Sequence, residues 1–406
     1  MCETLTKVRQ PDAAAPGLSL ADAALPRGVA DEYQVALIDH QDGFRDLSGE
    51  WNGLLETAAH KSVFLKHQWM YSWWTVHGRG GLRLFIITVR DAQHRLVGLL
   101  PFYCERVWRV RVLRFLGAIH EAPEYLDAIV HREQTQHILL RLLAGLASFR
   151  KEYDALQLTD LMDGGLLAAA LPAWTAAQGG RCHLLPWMVC PYLSTLGNFE
   201  TYVQSLSSNH RYNLRRRTRR LIDQHQAVFE IAVDPGAVGN AMEALFDLHT
   251  KRWSQKAAES KFDNELSWAF HRRLSAALAE EGAVRVYLLR CAGRVVAAYY
   301  CLVFDRRLYY YQAGMDPEFQ KHSAGMVLLG RIIEECFQQE LLEFDFLRGR
   351  EAYKFNWTQQ TRQTWACETA LSPGAKALQS SRHVVRRTRA MVRNLQKKLS
   401  SKISPH

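Results

Sequence analysis

No run of apolar residues in this chain exceeds about ten, the longest being Val295 to Phe304. A membrane-crossing helix needs roughly twice that, so a spanning segment is not expected. The start, Met1-Cys2-Glu3-Thr4, leads into no apolar stretch, and no secretory signal is expected. The eight cysteines form no Cys-x-x-Cys pair, and no His/Cys spacing fits a zinc site, so no metal is expected. Several cysteines sit in apolar segments, as reduced buried thiols of a cytoplasmic protein do. Acidic residues are absent after Glu368, while nine Lys and Arg follow it. Nearly all of the net charge of +10 therefore lies in the C-terminal stretch, and the body is close to neutral. Charge alone permits nucleic acid, but no aromatic interleaving or reading motif supports it.

What is present is the composition of an ordinary globular protein, 48% hydrophobic and 23% charged. At 406 residues the chain exceeds what one core usually serves, so two domains are expected. A repeated pattern agrees with this. Arg83 to Phe102 and Arg285 to Leu302 each read as an apolar strand, a short polar turn and a second apolar strand. An aromatic-bearing helix precedes each, with Trp69 and Trp73 in one and Trp268 and Phe270 in the other. Helices are expected near 45–58, 67–77, 135–149, 165–177, 198–206, 210–224, 237–255, 265–281 and 325–340. Strands are expected near 35–38, 112–117, 125–130, 155–159, 307–313 and 342–347. This makes an α/β protein with mixed sheets in two halves. The expected divisions are a disordered leader 1–31, a domain 32–182, a domain 183–372 and a basic amphipathic tail 373–406, with Gly179-Gly180 marking the middle boundary.

The densest chemistry lies at Phe344 to Trp357, where two acids, three bases and several aromatics follow the apolar pair Leu341-Leu342. Partly hydrated charges in such surroundings need partners or ligands. Upstream, a Tyr-rich strand runs through Met315 to Gly325 into a helix. Small residues at a helix start leave backbone N–H groups accessible to phosphate.

The order of hairpin, Tyr-rich strand, Gln320-x-x-Ser323-x-Gly325, helix and strand resembles Gcn5-related N-acetyltransferases. Their loop usually reads Arg/Gln-x-x-Gly-x-Gly/Ala, so Gln320 and Gly325 match and Ser323 departs. Asp345-Phe346-Leu347-Arg348-Gly349 with Glu351-x-Tyr353-Lys354-x-x-Trp357 resembles the BioF2-like or CelD-like group more narrowly. Val97 to Phe102, Arg114 to Gly117, Tyr125 to Asp127 and Asn209 to Arg216 agree with it, over about residues 35–370.

The resemblance implies a tandem acetyltransferase-like fold related to the FemAB transferases. It implies acyl-CoA, with acetyl-CoA first, as co-substrate, held at Gln320, Ser323, Ala324, Gly325, Met326 and Tyr311. Asp345 or Glu351 would act as base or hold the acceptor ammonium. Tyr353 would protonate the leaving thiolate, and Lys354 would stabilise negative charge or orient a phosphate. Arg348 would pair with Asp345 or clamp a phosphate. Arg348, Trp253, His210 and Trp357 form the expected acceptor side. The first half is expected to lack coenzyme binding. The implied activity is N-acylation of an amino group, on a sugar or precursor of a bacterial surface polysaccharide. The alternatives are a FemAB-type transferase using aminoacyl-tRNA and a non-catalytic scaffold. In the tail, Leu378, Val385, Val392, Leu395 and Leu399 share a helical face ringed by bases. Such a helix can lie on the anionic inner face of a membrane.

Overall fold

The computed structural model describes residues 33–253 and 264–380. The expected leader and residues 381–406 of the tail lie outside them, as does the side chain of Trp253. Thirteen strands are described: β1 (Gln34–Ile38), β2 (Arg83–Arg90), β3 (Leu96–Val107), β4 (Val110–Phe115), β5 (Ile129–Val130), β6 (Ala155–Leu161), β7 (Arg181–Ser194), β8 (Ala227–Ala232), β9 (Val284–Cys291), β10 (Arg294–Phe304), β11 (Arg307–Met315), β12 (Glu343–Asp345) and β13 (Thr361–Ala370). The helices are α1 (Gln41–Asp46), α2 (Ser48–Glu56), α3 (His67–His77), α4 (Thr135–Ser148), α5 (Leu166–Ala177), α6 (Phe199–Ser205), α7 (Ser208–His225), α8 (Pro235–Trp253), α9 (Glu265–Ala279) and α10 (Ala324–Gln338).

All strands join one mixed sheet in the order β1-β2-β3-β4-β6-β13-β7-β12-β11-β10-β9-β8, with β5 beside β3. Both repeated hairpins form, as β2–β3 and β9–β10. The second turns through Ala292 and Gly293, both with positive φ, which matches the twist of the flanking strands. The helix ahead of each hairpin packs on its counterpart, and Trp69 of α3 meets Phe270 of α9 edge to face at 5.1 Å.

Three strands were not expected from the sequence. β7 carries Pro186 and Pro191, which lack the N–H a ladder needs and disguise it as a loop. β8 is short and half-exposed, and β13 opens with four polar residues, Thr361 to Thr364, and shows no alternation. The helix expected near 45–58 is two helices, broken at Leu47, and the strand expected at 342–347 narrows to Glu343–Asp345. β13 lies between β6 and β7, so a strand from the end of the chain pairs with the first half.

The parallel pairs place the site. In the first half, β4 and β6 pair at Val112↔Ala155 and Leu113↔Leu156 and then separate. Chain at Leu126 fills that gap, where Leu126 N donates to Asp160 O and Met162 N donates to Leu126 O. In the second half, β11 and β12 pair from Arg307↔Glu343 to Tyr309↔Asp345 and then separate. Buried side chains of α10 (Val327, Leu328, Ile332, Ile333, Cys336), one per helical turn or so, pack on one face of this region. The larger core, which includes Trp69, Phe270 and Tyr300, lies on the other.

Candidate active site

Beyond Tyr309, β11 continues to Met315 while the chain after Asp345 turns toward β7. Phe346 N donates to Pro191 O and Gly349 N to Val189 O, each at 3.0 Å. The edge of β11 facing away from β10 is thus left without a strand partner. The resulting cavity is about 230 Å³. Tyr310, Tyr311 and Gln312 form one wall, and Phe346, Leu347, Arg348, Glu351, Tyr353 and Lys354 form the second. The third comes from elsewhere, as His120, Glu121 and Ala122 of the first half and Ser267 of α9.

The second wall is a tight loop with Leu347 at φ +53° and Gly349 at φ +118°. A Cβ on Gly349 would sit 2.2 Å from Glu351 Oε2, so glycine is required there. Lys354 holds the loop. Its Nζ donates to Arg348 O at 2.6 Å and Leu347 O at 3.3 Å, and pairs with Glu351 at 3.0 Å. An ammonium has three protons, and all three are engaged. The Tyr353 hydroxyl, on the open side of the cavity, lies 3.4 Å from that of Tyr310. Burial pushes the Tyr310 phenol well above its ordinary value.

Asp345 is fully buried and does not line the cavity. Its Oδ2 accepts from the Tyr125 hydroxyl at 2.7 Å, and its Oδ1 accepts from Leu347 N at 2.7 Å. Burial pushes its carboxyl up to about 6, against Arg362, whose guanidinium lies 3.9 Å away. The expected Arg348–Asp345 pair does not form. Arg348 instead reaches into the first half. It bonds Glu124 and the Pro123 carbonyl, and contacts Asp160 at 2.8 Å. Both acids are buried. Burial pushes Glu124 up to about 8 and raises Asp160 as well. One cation thus faces two buried carboxyls, and Glu124 favours its protonated form at neutral pH. Arg348 is committed to this cluster and has no fork left for a phosphate.

The third wall contains the residues that sequence reasoning missed. Glu121 is buried, with Oε1 at 3.0 Å from His77 Nε2 and Oε2 accepting from Ser267 Oγ at 3.0 Å. His271 Nε2 lies 3.2 Å from Oε2. Burial pushes this carboxyl up, but the bonds from His271, His77 and Ser267 outweigh it and bring it down to about 2. Burial lowers His271, against the opposing pull of the Glu121 carboxylate. These residues lie on α3, the 117–124 loop and α9, and no local motif links them. Their backbone offers a clue only after folding, since His120, Tyr125, Asp160 and Leu347 all have positive φ.

The loop at the start of α10 stands apart from the cavity lining. Gln320 O accepts from Ser323 N at 3.0 Å, and Ser323 adopts φ +59°, where the resembled family places glycine. Gly325 packs on Met315, where a Cβ would approach Sδ to 2.1 Å. Ala324 is buried, and Met326 is half-buried in the first turn. His210 and Trp357 meet edge to face at 4.5 Å, both buried between α7 and α10. Neither lines the cavity. Among the described residues no group of three or more His, Cys, Asp or Glu is placed to hold a metal ion, and no helix is long and apolar enough to cross a membrane.

Residues 208–355 match the family model of the acetyltransferase (GNAT) domain. No curated protein matches the chain by sequence. Solved structures show the wider fold. FemX is 9% identical, with 82% of this chain and 96% of FemX covered at a TM-score of 0.55. A conserved protein from Bacteroides thetaiotaomicron is 10% identical over 82% and 100% of the two chains, at 0.51. L-PGS from Bacillus licheniformis is 10% identical over 82% and 96%, at 0.50. The open strand pair and the helix beside it both lie inside the matched segment, so the chain contains an acetyltransferase (GNAT) domain at residues 208–355, within a wider fold that FemX shares.

Proposed function

We propose that the chain transfers an acyl group from acyl-CoA to an amino group, on a sugar or precursor used in bacterial surface polysaccharide. The observation that carries this is the separation of β11 from β12 after Tyr309↔Asp345, which leaves a strand edge facing a cavity. An extended amide-bearing arm can bond such an edge as an added strand would. The loop from Gln320 to Met326 opens α10, and on this reading its first-turn N–H groups would meet the pyrophosphate. The first half has its corresponding gap filled at Leu126, which supports a single donor site.

In the transfer, the acceptor ammonium first releases a proton to solvent by way of Glu351, and the neutral amine then attacks the thioester carbonyl. The C–N bond forms, the C–S bond breaks, and the thiolate takes a proton from Tyr353. The nitrogen gives up its extra proton to Glu351, the exposed carboxylate on the cavity rim, and the Tyr353 proton is restored from solvent. Asp345, Arg348 and Lys354 act by fixing the loop that carries these groups.

A melting-temperature screen tests the donor. Acetyl-CoA and longer thioesters should raise the melting point, and adenine nucleotides alone should not. No response to any thioester at millimolar concentration refutes the reading. Tyr353→Phe should lower thiol release at least tenfold with donor affinity unchanged.

A second reading has its own observation. Arg215, Arg216, Arg219 and Arg220 line a groove of about 690 Å³ along α7, and the fold is shared with FemX. An aminoacyl-tRNA donor would use this groove, and RNA that copurifies with a nuclease-sensitive activity would favour it.

A further inference from the structure

We propose that Glu121, though it belongs to the first half, is the anion that receives the ammonium group of the acceptor, so that the acceptor site is built jointly by the two halves. The proposal rests on the acyltransferase reading and adds the place and charge of the acceptor.

Three observations converge. First, Glu121 and Ser267 line the cavity opposite Tyr353 and Glu351, across the space where the transfer would occur. Second, Glu121 is buried yet ionised, held by Ser267 Oγ at 3.0 Å, His77 Nε2 at 3.0 Å and His271 Nε2 at 3.2 Å. A carboxylate offers about four acceptor positions, and the two bonds from His77 and Ser267, with His271 close by, leave room for an incoming N–H. Third, two histidines and a set of aromatic rings surround it. Tyr311 and Tyr300 sit against His271 at 4.9 and 5.6 Å from ring to ring, and the Tyr300 hydroxyl has no hydrogen-bond partner among the described residues. Among the described residues no Lys or Arg is bonded to Glu121, whereas Glu351 on the same cavity's rim pairs with Lys354. A buried carboxylate without a cation is costly unless its ligand supplies one.

The preference is therefore for a primary amine carried as its cation, over a hydroxyl of the same shape. The reason for the long insertion between β4 and β5 follows. Its middle delivers His120 and Glu121 to the second half's cavity, and its end, at Leu126, fills the first half's own gap.

The test uses calorimetry on the full chain saturated with coenzyme A. Two matched pairs are titrated, glucosamine against glucose, and Nα-acetyl-lysine methyl ester against Nα-acetyl-norleucine methyl ester. The wild type should favour the cationic member of at least one pair by tenfold or more. Glu121→Gln should abolish that preference while coenzyme A affinity and melting point stay within twofold and a few degrees of wild type. Ser267→Ala, which removes one supporting donor, should reduce the preference without abolishing it, and serves if Glu121→Gln does not fold. A wild type without preference in both pairs overturns the proposal, as does a preference that survives Glu121→Gln. Failure of coenzyme A itself to bind refutes the donor reading and removes the ground for this one.

Discussion

Arg348→Met removes the only cation from a buried trio. The Arg348 side chain is 25% exposed, and the carboxylates it contacts, Glu124 and Asp160, are 0% and 2% exposed. Taking away one partner of a buried ion pair costs about 3–5 kcal/mol, because the remaining charge loses its compensation. Unfolding entropy of about 2.1 cal/mol/K per residue, over a chain of this length, gives roughly 0.8 kcal/mol/K. The melting point should therefore fall by about 4–6 °C at pH 8. The pH dependence identifies the cause. Glu124 already holds its proton at neutral pH, so the new burden falls on Asp160. Without Arg348, its native-state carboxyl moves further above its ordinary value. A carboxyl raised in the folded state loses stability as pH rises from the unfolded value toward the folded one. Below about pH 4 both states are protonated and the variant's deficit vanishes. Scanning calorimetry at pH 5 and pH 8 should show a deficit at pH 5 less than half that at pH 8. An equal or larger deficit at pH 5 would show that the carboxylates are not the origin.

Ser323→Gly relieves a left-handed backbone at the start of α10, and should stabilise the chain by up to about 1 kcal/mol in urea titrations. Tyr125→Phe leaves one oxygen of buried Asp345 without its donor, and should cost about 1–3 kcal/mol by the same measurement. Asp345 is raised to about 6, so the wild type loses stability as pH climbs from 4 to 6; Asp345→Asn should flatten that slope, by up to about 3 kcal/mol across the interval. Gly325→Ala forces its methyl group onto Met315 and should weaken coenzyme A binding in calorimetry, and adding Met315→Ala should restore most of it.

The sequence made the elements with strong periodicity legible. The two hairpins, α10 and the apolar strand β11 announce themselves through runs of Val, Leu and Tyr, because their burial is decided locally. The loop from Asp345 to Lys354 stood out because charges followed directly on an apolar strand, and it does wall the cavity. The individual assignments within it were less legible. Whether Arg348 meets Asp345 or Glu124 depends on which half packs against the loop, and that is a contact 224 residues away in sequence. Glu121 was invisible for the same reason, since its neighbours lie on α3 and α9. His210 and Trp357 looked like ligand groups by residue type, but helix packing buries them together. β7 and β13 escaped notice because two prolines in one and a polar start in the other hide what is a central part of the sheet.

The place of β13 has a consequence for synthesis. Until residues 361–370 leave the ribosome, β6 is an unfinished border with its hydrogen-bonding groups exposed, although everything else that the first half needs was made about two hundred residues earlier. Such a border invites pairing with neighbouring chains, and ties of long sequence separation form slowly. The nascent chain should therefore depend on chaperones through most of its translation, and nonsense truncations just before Thr361 should aggregate instead of yielding a folded first half.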